Sequence, residues 1–327
     1  MKLTVSILLI MFTAAGCVDN APHDNPLDPG SSAYVKAGTF GGRLMLENQN
    51  TGVARVTVWD LTEGVAVLTD SLGYFSFGSL PAGDHRFVTA KTNFTNDTFQ
   101  VAIQAGTTQQ VTRYLNGSPI VSLTQILTRK IDQYFPSPQY FVDVTASVSD
   151  PNGISDLDSV WFGFDSLRYS LTYSVATKNF HATIFKYDIP TNTIQYLVGR
   201  PLYIISRDTK MAVNISAPFY VTRVIENEAT PISPSPFVQD TVAADSITFK
   251  WTPPAVTYNY SYNLSLSRVD AGTQTVVWTH LGLNSFFEEQ VYDGAAKLPA
   301  GNYVWTVSVV DDFGNYGRSK ESAFVIK

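Results

Sequence analysis

Polar and apolar residues alternate with a period of two along most of the chain from residue 42 onward. Turn residues, mainly Gly, Asn and Asp, interrupt this alternation about every eight to twelve residues. Short alternating segments between such turns are typical of half-buried strands that pack in a sandwich or barrel. No segment of useful length shows the period of a helix. The pattern therefore predicts an all-β protein made of tandem β-sandwich domains.

The first predicted domain covers residues 42–118 and has a strand with Phe75 and Phe77 on one face. Its central motif is T-D-S-L-G-Y-F-S-F at positions 69–77, followed by L-P-A-G at positions 80–83. These motifs resemble the carboxypeptidase regulatory-like family. The resemblance implies a transthyretin-like β-sandwich and, despite the family's name, no peptidase activity.

The second predicted domain covers residues 119–225. Phe162 and Phe164 share one strand face, and Trp161 points to the opposite face. A strand, an acidic turn and an apolar last strand follow at residues 204–221, and the same pattern recurs at residues 309–326. We therefore expect an immunoglobulin-like sandwich here, related to the domain that follows it.

Residues 226–240 contain several prolines, each of which fixes φ and removes a backbone donor, so this segment is predicted to be a stiff linker. The last domain, residues 241–327, places Trp251 and Trp305 at inward positions. Its motif L-P-A-G-N-Y, which ends at Tyr303, resembles the tyrosine corner of immunoglobulin-like sandwiches. This domain resembles fibronectin type III.

The amino terminus carries the only cysteine of the chain, Cys17, directly after an apolar run and the small residues at positions 14–16. The run is too short to span a bilayer, which takes about 20 apolar residues. This arrangement resembles bacterial lipoprotein precursors, which implies a signal peptide over residues 1–16 and acylation of Cys17. Residues 17–41 would then form the anchor and a flexible tether. The alternative is an ordinary secretory signal in which Cys17 is incidental.

Composition and motifs favour a globular protein without catalytic chemistry. The hydrophobic fraction is 44% and the formal net charge is −6, with no basic run, which argues against a nucleic-acid partner. The four histidines are scattered singly, and no nucleophile elbow or phosphate-binding motif is present. We predict that the chain is not an enzyme, since an enzyme would require a carboxylate pair that the spacing does not reveal.

One acidic turn could bind a metal ion. Asp150, Asn152, Asp156 and Asp158 offer oxygen ligands at a spacing like that of part of an EF-hand loop. The glycine and the twelfth residue do not fit that loop, and Asp-Pro-Asn-Gly is also good turn chemistry. The sequence indicates no cofactor apart from this calcium candidate.

Two tryptophans could instead form ligand platforms. Trp59 and Trp161 lie opposite the inward faces of their strands, where an aromatic ring can stack on a sugar. The alternative for both is packing against a neighbouring sheet or domain.

We therefore expect a bacterial lipoprotein of the cell envelope, lipid-anchored in the outer membrane at its periplasmic or surface face. It would be a non-enzymatic structural, adhesive or interaction module with envelope proteins as partners. The alternative is a carbohydrate-binding module of a polysaccharide-uptake system.

Overall fold

The computed structural model describes residue 28 and residues 30–31, 36–235, 240–243 and 247–327. Cys17, the predicted signal peptide and most of the predicted tether lie outside these residues. The chain divides into two compact units, residues 1–116 and 117–327. Within the described part of the chain, no helix has both the length and the hydropathy needed to cross a membrane.

The first unit holds one β-sandwich, which we name the first sandwich. Its strands are β1 (Ala37–Leu46), β2 (Thr57–Asp60), β3 (Val65–Leu68), β4 (Tyr74–Pro81), β5 (Gly83–Ala90), β6 (Thr98–Ile103) and β7 (Thr108–Leu115). One sheet has the order β4-β1-β7, with β1 and β7 parallel, and the other has the order β3-β2-β5-β6.

Phenylalanines from both sheets fill the core of the first sandwich. Phe75 and Phe77 are both buried, which confirms the face predicted for β4, and Phe87 of the opposite sheet is fully buried. Phe40 lies between them, with its ring centroid 4.5 Å from that of Phe87. Burial of such large apolar side chains is the main favourable term in folding.

The second unit begins with eight strands that form the second sandwich. They are β8 (Ile120–Ile131), β9 (Gln139–Ser149), β10 (Leu157–Phe164), β11 (Leu167–Ser170), β12 (Thr172–Ser174), β13 (Asn179–Phe185), β14 (Tyr203–Asp208) and β15 (Val213–Ile215). Short 3₁₀ turns cover Ile154–Asp156, Lys186–Asp188 and Ile194–Leu197. The strand orders β8-β9-β13-β12 and β11-β10-β14-β15 correspond to the ABED and CFG arrangement of immunoglobulin domains, with an added C′ strand.

The remaining strands form the third sandwich. They are β16 (Thr230–Ser233), β17 (Asp240–Val242), β18 (Thr248–Thr252), β19 (Tyr260–Asp270), β20 (Thr273–Asn284), β21 (Glu289–Val291), β22 (Gly301–Asp311), β23 (Tyr316–Arg318) and β24 (Ser322–Ile326). The sheet β16-β18-β21 packs on β20-β19-β22-β24, and β17 pairs with β24. β16 lies inside the segment expected to be a stiff linker. Among the described strands it is an edge strand that pairs only with β18, and an edge strand tolerates the missing N–H of Pro231.

Large aromatic side chains fill the third core. Trp251 and Trp305 are buried, as their inward positions predicted. The hydroxyl of buried Tyr303 donates to the carbonyl of Pro299 at 2.7 Å, which confirms the predicted tyrosine corner. Each of the three sandwiches has its own hydrophobic core between two sheets. The prediction of an all-β fold of tandem sandwiches is therefore confirmed.

The second and third sandwiches share one sheet. β8 of the second sandwich pairs in parallel with β23 of the third, and this joins their strands into a ten-stranded sheet. Gly317 of β23 leaves room for Ile225, a residue of the third core, since an added Cβ would lie 2.7 Å from Cγ2 of Ile225. Both sandwiches are therefore held by backbone hydrogen bonds as well as by side chains.

Candidate functional site

Three aspartates meet at one end of the second sandwich. Asp150 directly follows β9, Asp156 ends the 3₁₀ turn before β10, and Asp208 is the last residue of β14. One carboxylate oxygen from each residue lies within 4.8 Å of the other two. We name these three residues the acid cluster. Because β10 and β14 are paired neighbours, the residues at this end of both strands come together.

The turn after β9 positions the first two members of the acid cluster. Asp150 Oδ1 accepts the N–H of Asn152 at 2.7 Å, and the Asp150 carbonyl accepts the N–H of Gly153 at 3.0 Å. Gly153 has a φ of 108°, which glycine adopts without a Cβ clash. The Gly153 carbonyl then accepts the N–H of Asp156 at 3.0 Å, so the turn leads directly to the second carboxylate.

The hairpin between β14 and β15 positions the third member. Asp208 Oδ1 accepts the N–H groups of Lys210 at 2.9 Å and Ala212 at 2.7 Å. The two connections also bind each other, since the Thr209 N–H donates to the Asp156 carbonyl at 2.8 Å and the Thr209 hydroxyl donates to Asp156 Oδ1. The acid cluster is thus fixed by backbone geometry on both sides.

All three carboxylates are removed from solvent. The exposed fractions are 8% for Asp150, 5% for Asp156 and 0% for Asp208. Burial, together with the charges of Asp156 and Asp208, raises the pKa of Asp150 to about 6, against the opposing effect of the Asn152 N–H. The surroundings therefore disfavour the ionised form of Asp150.

The structure brings together only part of the predicted metal ligand set. Asn152 directs its side-chain oxygen to the N–H of Gly117, at 2.7 Å. Asp158 points out of β10 toward solvent, where Arg207 Nε donates to its Oδ2 at 2.9 Å. Hydrogen bonds from Ser159 and Arg207 lower the pKa of Asp158. Asp150 and Asp156 remain in the cluster.

Asp208 was not among the predicted ligands. The signal for it is the acidic turn that recurs at residue 311, where Asp311 Oδ1 accepts the N–H groups of Phe313 and Asn315. That recurrence identifies Asp208 as a turn residue. It does not show that the turn faces the loop after β9.

The two candidate aromatic platforms differ. Trp59 lies on β2 with 44% of its surface exposed, next to the cross-strand neighbours Ala66 and Val88. Trp161 is half-buried, and the guanidinium groups of Arg168 and Arg207 lie 5.7 Å and 5.2 Å from its ring centroid. Cation–π contacts occupy the ring of Trp161, so Trp59 is the more accessible platform.

Asn315 forms the polar centre of the contact between the second and third sandwiches. Its Oδ1 accepts the N–H of Thr128 at 3.0 Å, and its Nδ2 donates to Thr222 Oγ1 at 2.9 Å and Asp311 Oδ2 at 3.0 Å. Arg223 Nε lies 3.2 Å from the same Asp311 oxygen. Asn315 itself is only 2% exposed, so these bonds are shielded from water.

A second group of polar contacts lies farther along the contact between the second and third sandwiches. Lys130 Nζ is 2.6 Å from Glu228 Oε2 and also donates to the Glu226 carbonyl. Burial lowers the pKa of Lys130, but the hydrogen bond and charge of Glu228 outweigh this effect and raise it. Arg318 of β23 donates to the Asp132 carbonyl at 3.3 Å. We name the contacts of Asn315, Lys130 and Arg318 the joint.

These features define the class of the protein as an all-β chain of tandem sandwiches. No family model matches the chain, and no curated protein matches it.

Several solved structures are similar at low identity. BcpA, the major pilin subunit of Bacillus cereus, is 12% identical over 86% of this chain and 92% of its own, with a TM-score of 0.29. The fibronectin(III)-like modules of Clostridium thermocellum CbhA are 13% identical over 64% of this chain and 92% of theirs, with a TM-score of 0.30. A putative carbohydrate binding protein from Bacteroides uniformis is 9% identical over 56% of this chain and 98% of its own, with a TM-score of 0.24. Scores this low assign neither a function nor a relationship to this chain.

Proposed function

We propose that the chain is a non-enzymatic lipoprotein of the bacterial cell envelope whose second and third sandwiches act as a rigid structural module. The joint carries this proposal. Domains linked in one chain are expected to move relative to one another unless their interface restrains them. Here β8 and β23 add backbone pairing to a buried polar network. A module that keeps its two sandwiches in fixed orientation suits a spacer or scaffold.

Partners of such a module would be envelope proteins that bind loops or sheet edges. In sandwich domains, loops at the ends carry binding surfaces while the sheets form a scaffold. Unpaired edge strands also offer N–H and C=O groups to a partner strand. An anchor at Cys17 would hold these surfaces at the outer membrane.

The anchor is tested by metabolic labelling with a palmitate analogue. The wild-type chain should carry the label, and Cys17→Ala should lose it, because Cys17 is the only thiol in the sequence. Fractionation of the same cells should place the wild type in the outer membrane, and protease treatment of intact cells would identify the exposed face. An unlabelled wild type, or a label that persists in Cys17→Ala, would contradict the anchor.

Carbohydrate binding by the first sandwich is the second candidate function. It is supported by the exposed ring of Trp59, since aromatic faces stack on the apolar faces of sugars. A glycan array probed with the full chain should give hits that are lost in Trp59→Ala and kept in Trp161→Ala. The absence of any hit with the wild type would remove this candidate.

A further inference from the structure

We infer that the acid cluster of Asp150, Asp156 and Asp208 is a calcium-binding site that links two connections at one end of the second sandwich. This inference concerns the second unit alone and does not depend on the anchor. The proposal begins from the three carboxylates within 4.8 Å of one another, all of them buried.

Two unpartnered oxygens distinguish this cluster from an ordinary acidic turn. Oδ1 of Asp150 and Oδ1 of Asp156 are occupied by the Asn152 N–H and the Thr209 hydroxyl. Oδ2 of each residue is buried and has no hydrogen-bond partner among the residues that the structure describes. Buried polar atoms are nearly always satisfied, and a carboxylate oxygen is the costliest kind to leave without a partner. A bound cation would satisfy both.

The spacing and the donor type fit calcium. Two oxygens bound to one Ca²⁺ at 2.3–2.6 Å are at most about 4.6–5.2 Å apart, and the three carboxylate oxygens lie within 4.8 Å of one another, close enough to reach one ion. The cluster supplies only oxygen donors, which suit hard cations rather than zinc or copper. Calcium accepts irregular coordination by several carboxylates, whereas Mg²⁺ demands a near-ideal octahedron and retains its waters.

The ion would fasten the loop after β9 to the hairpin after β14. Asp150 and Asp156 belong to the first connection and Asp208 to the second. The loop after β9 also binds the start of the second unit, through Asn152 and the N–H of Gly117. Calcium should therefore order residues 150–156 and protect them from proteolysis.

The test is calorimetric titration and thermal unfolding of the purified full chain with CaCl₂, beside Asp150→Asn, Asp208→Asn and the control Asp158→Asn. An asparagine at position 150 or 208 keeps the side-chain Oδ1 that accepts the N–H of Asn152 or of Lys210. Both variants should therefore fold. Asp158 has the same chemistry in the same sandwich but lies outside the cluster. MgCl₂ at the same concentration serves as the ion control.

For sites of extracellular modules, with Kd of about 0.1–1 mM, about 10 mM calcium should raise the Tm of the wild type by about 3–10 °C. The shift should persist in Asp158→Asn, vanish in both cluster variants, and be smaller with magnesium. Limited proteolysis should show slower cleavage at residues 150–156 with calcium. An unchanged wild-type Tm with no heat of binding would overturn the site. So would a shift that survives in the cluster variants, and an equal response to magnesium would overturn the assignment to calcium.

Discussion

His85 and Asp60 form a buried ion pair inside the first sandwich. His85 Nδ1 lies 2.6 Å from Asp60 Oδ2, and its Nε2 lies 2.9 Å from the Pro81 carbonyl. Both ring nitrogens are therefore bonded, and the ring is 2% exposed. Such a histidine stabilises the connection between β2 and β5 and has no free nitrogen for general base catalysis.

The pair makes the first sandwich more stable in acid. Burial lowers the pKa of His85, but the hydrogen bonds to Asp60 and Pro81 and the charge of Asp60 outweigh it, so the pKa is raised above 6.5. The stabilisation is complete below the unfolded value of 6.5 and is lost as pH rises through the folded value. Hydrogen exchange of β2 and β5, corrected for intrinsic rates, should show protection falling as the pH rises above 6.5.

Two variants check this assignment. His85→Gln should flatten the pH dependence, because glutamine can donate to Asp60 but does not titrate in this range. His181→Gln, which alters an exposed histidine of the second sandwich, should leave the dependence intact. A wild type whose protection does not change with pH would contradict the raised pKa.

At the scale of elements, the same aspartate turn between consecutive strands occurs in all three sandwiches. Asp70, Asp208 and Asp311 each use Oδ1 to accept the N–H groups two and four residues later. The fourth residue of each turn has a positive φ: 85° at Gly73, 69° at Met211 and 86° at Gly314. The carboxylate thus gives two backbone N–H groups of each turn an acceptor inside the turn.

Asp70→Ala should destabilise the first sandwich by about 1–2 kcal/mol, because the N–H groups of Leu72 and Tyr74 lose their acceptor. Asp70→Asn should cost much less. Native-state hydrogen exchange at β4 amides measures both effects, with Asp84→Ala as the control at an exposed aspartate of the same unit. Equal losses in Asp70→Ala and Asp70→Asn would contradict the role given to Oδ1.

Local patterns could be predicted from the sequence wherever two or three neighbouring residues determine them. The alternation at residues 75–77 placed two phenylalanines in the core, and the L-P-A-G-N-Y motif placed the Tyr303 hydroxyl on a backbone carbonyl. The acid cluster could be predicted only in part. Asp150 and Asp156 share one turn, but Asp208 joins them through the pairing of β10 with β14, which no local pattern encodes.

At the scale of the whole molecule, the pairing of β8 with β23 was beyond sequence-based prediction. Tyr316 pairs with Arg129 across a long separation in sequence, and either strand read alone is an ordinary edge strand. Asn315 likewise looks like an ordinary turn residue in the sequence, since its partner Thr128 belongs to the other sandwich. Only the folded arrangement shows that Asn315 and Thr128 meet.

The joint predicts that the second and third sandwiches move as one rigid body. Asn315→Ala would leave the buried N–H of Thr128 without its acceptor, at a cost of about 1–3 kcal/mol. Loss of this contact should also loosen the orientation of the two sandwiches. Asn302→Ala, at an exposed position of β22, provides the matched control.

The most direct measurement is the distribution of distances between two spin labels, one on each sandwich. Cys17→Ala removes the only native thiol, and cysteines at the exposed positions Thr172 of β12 and Thr275 of β20 would carry the labels. A rigid joint predicts one narrow distance peak for this labelled chain and for its Asn302→Ala form, and a broader distribution after Asn315→Ala. A broad distribution without any change at the joint would contradict the account.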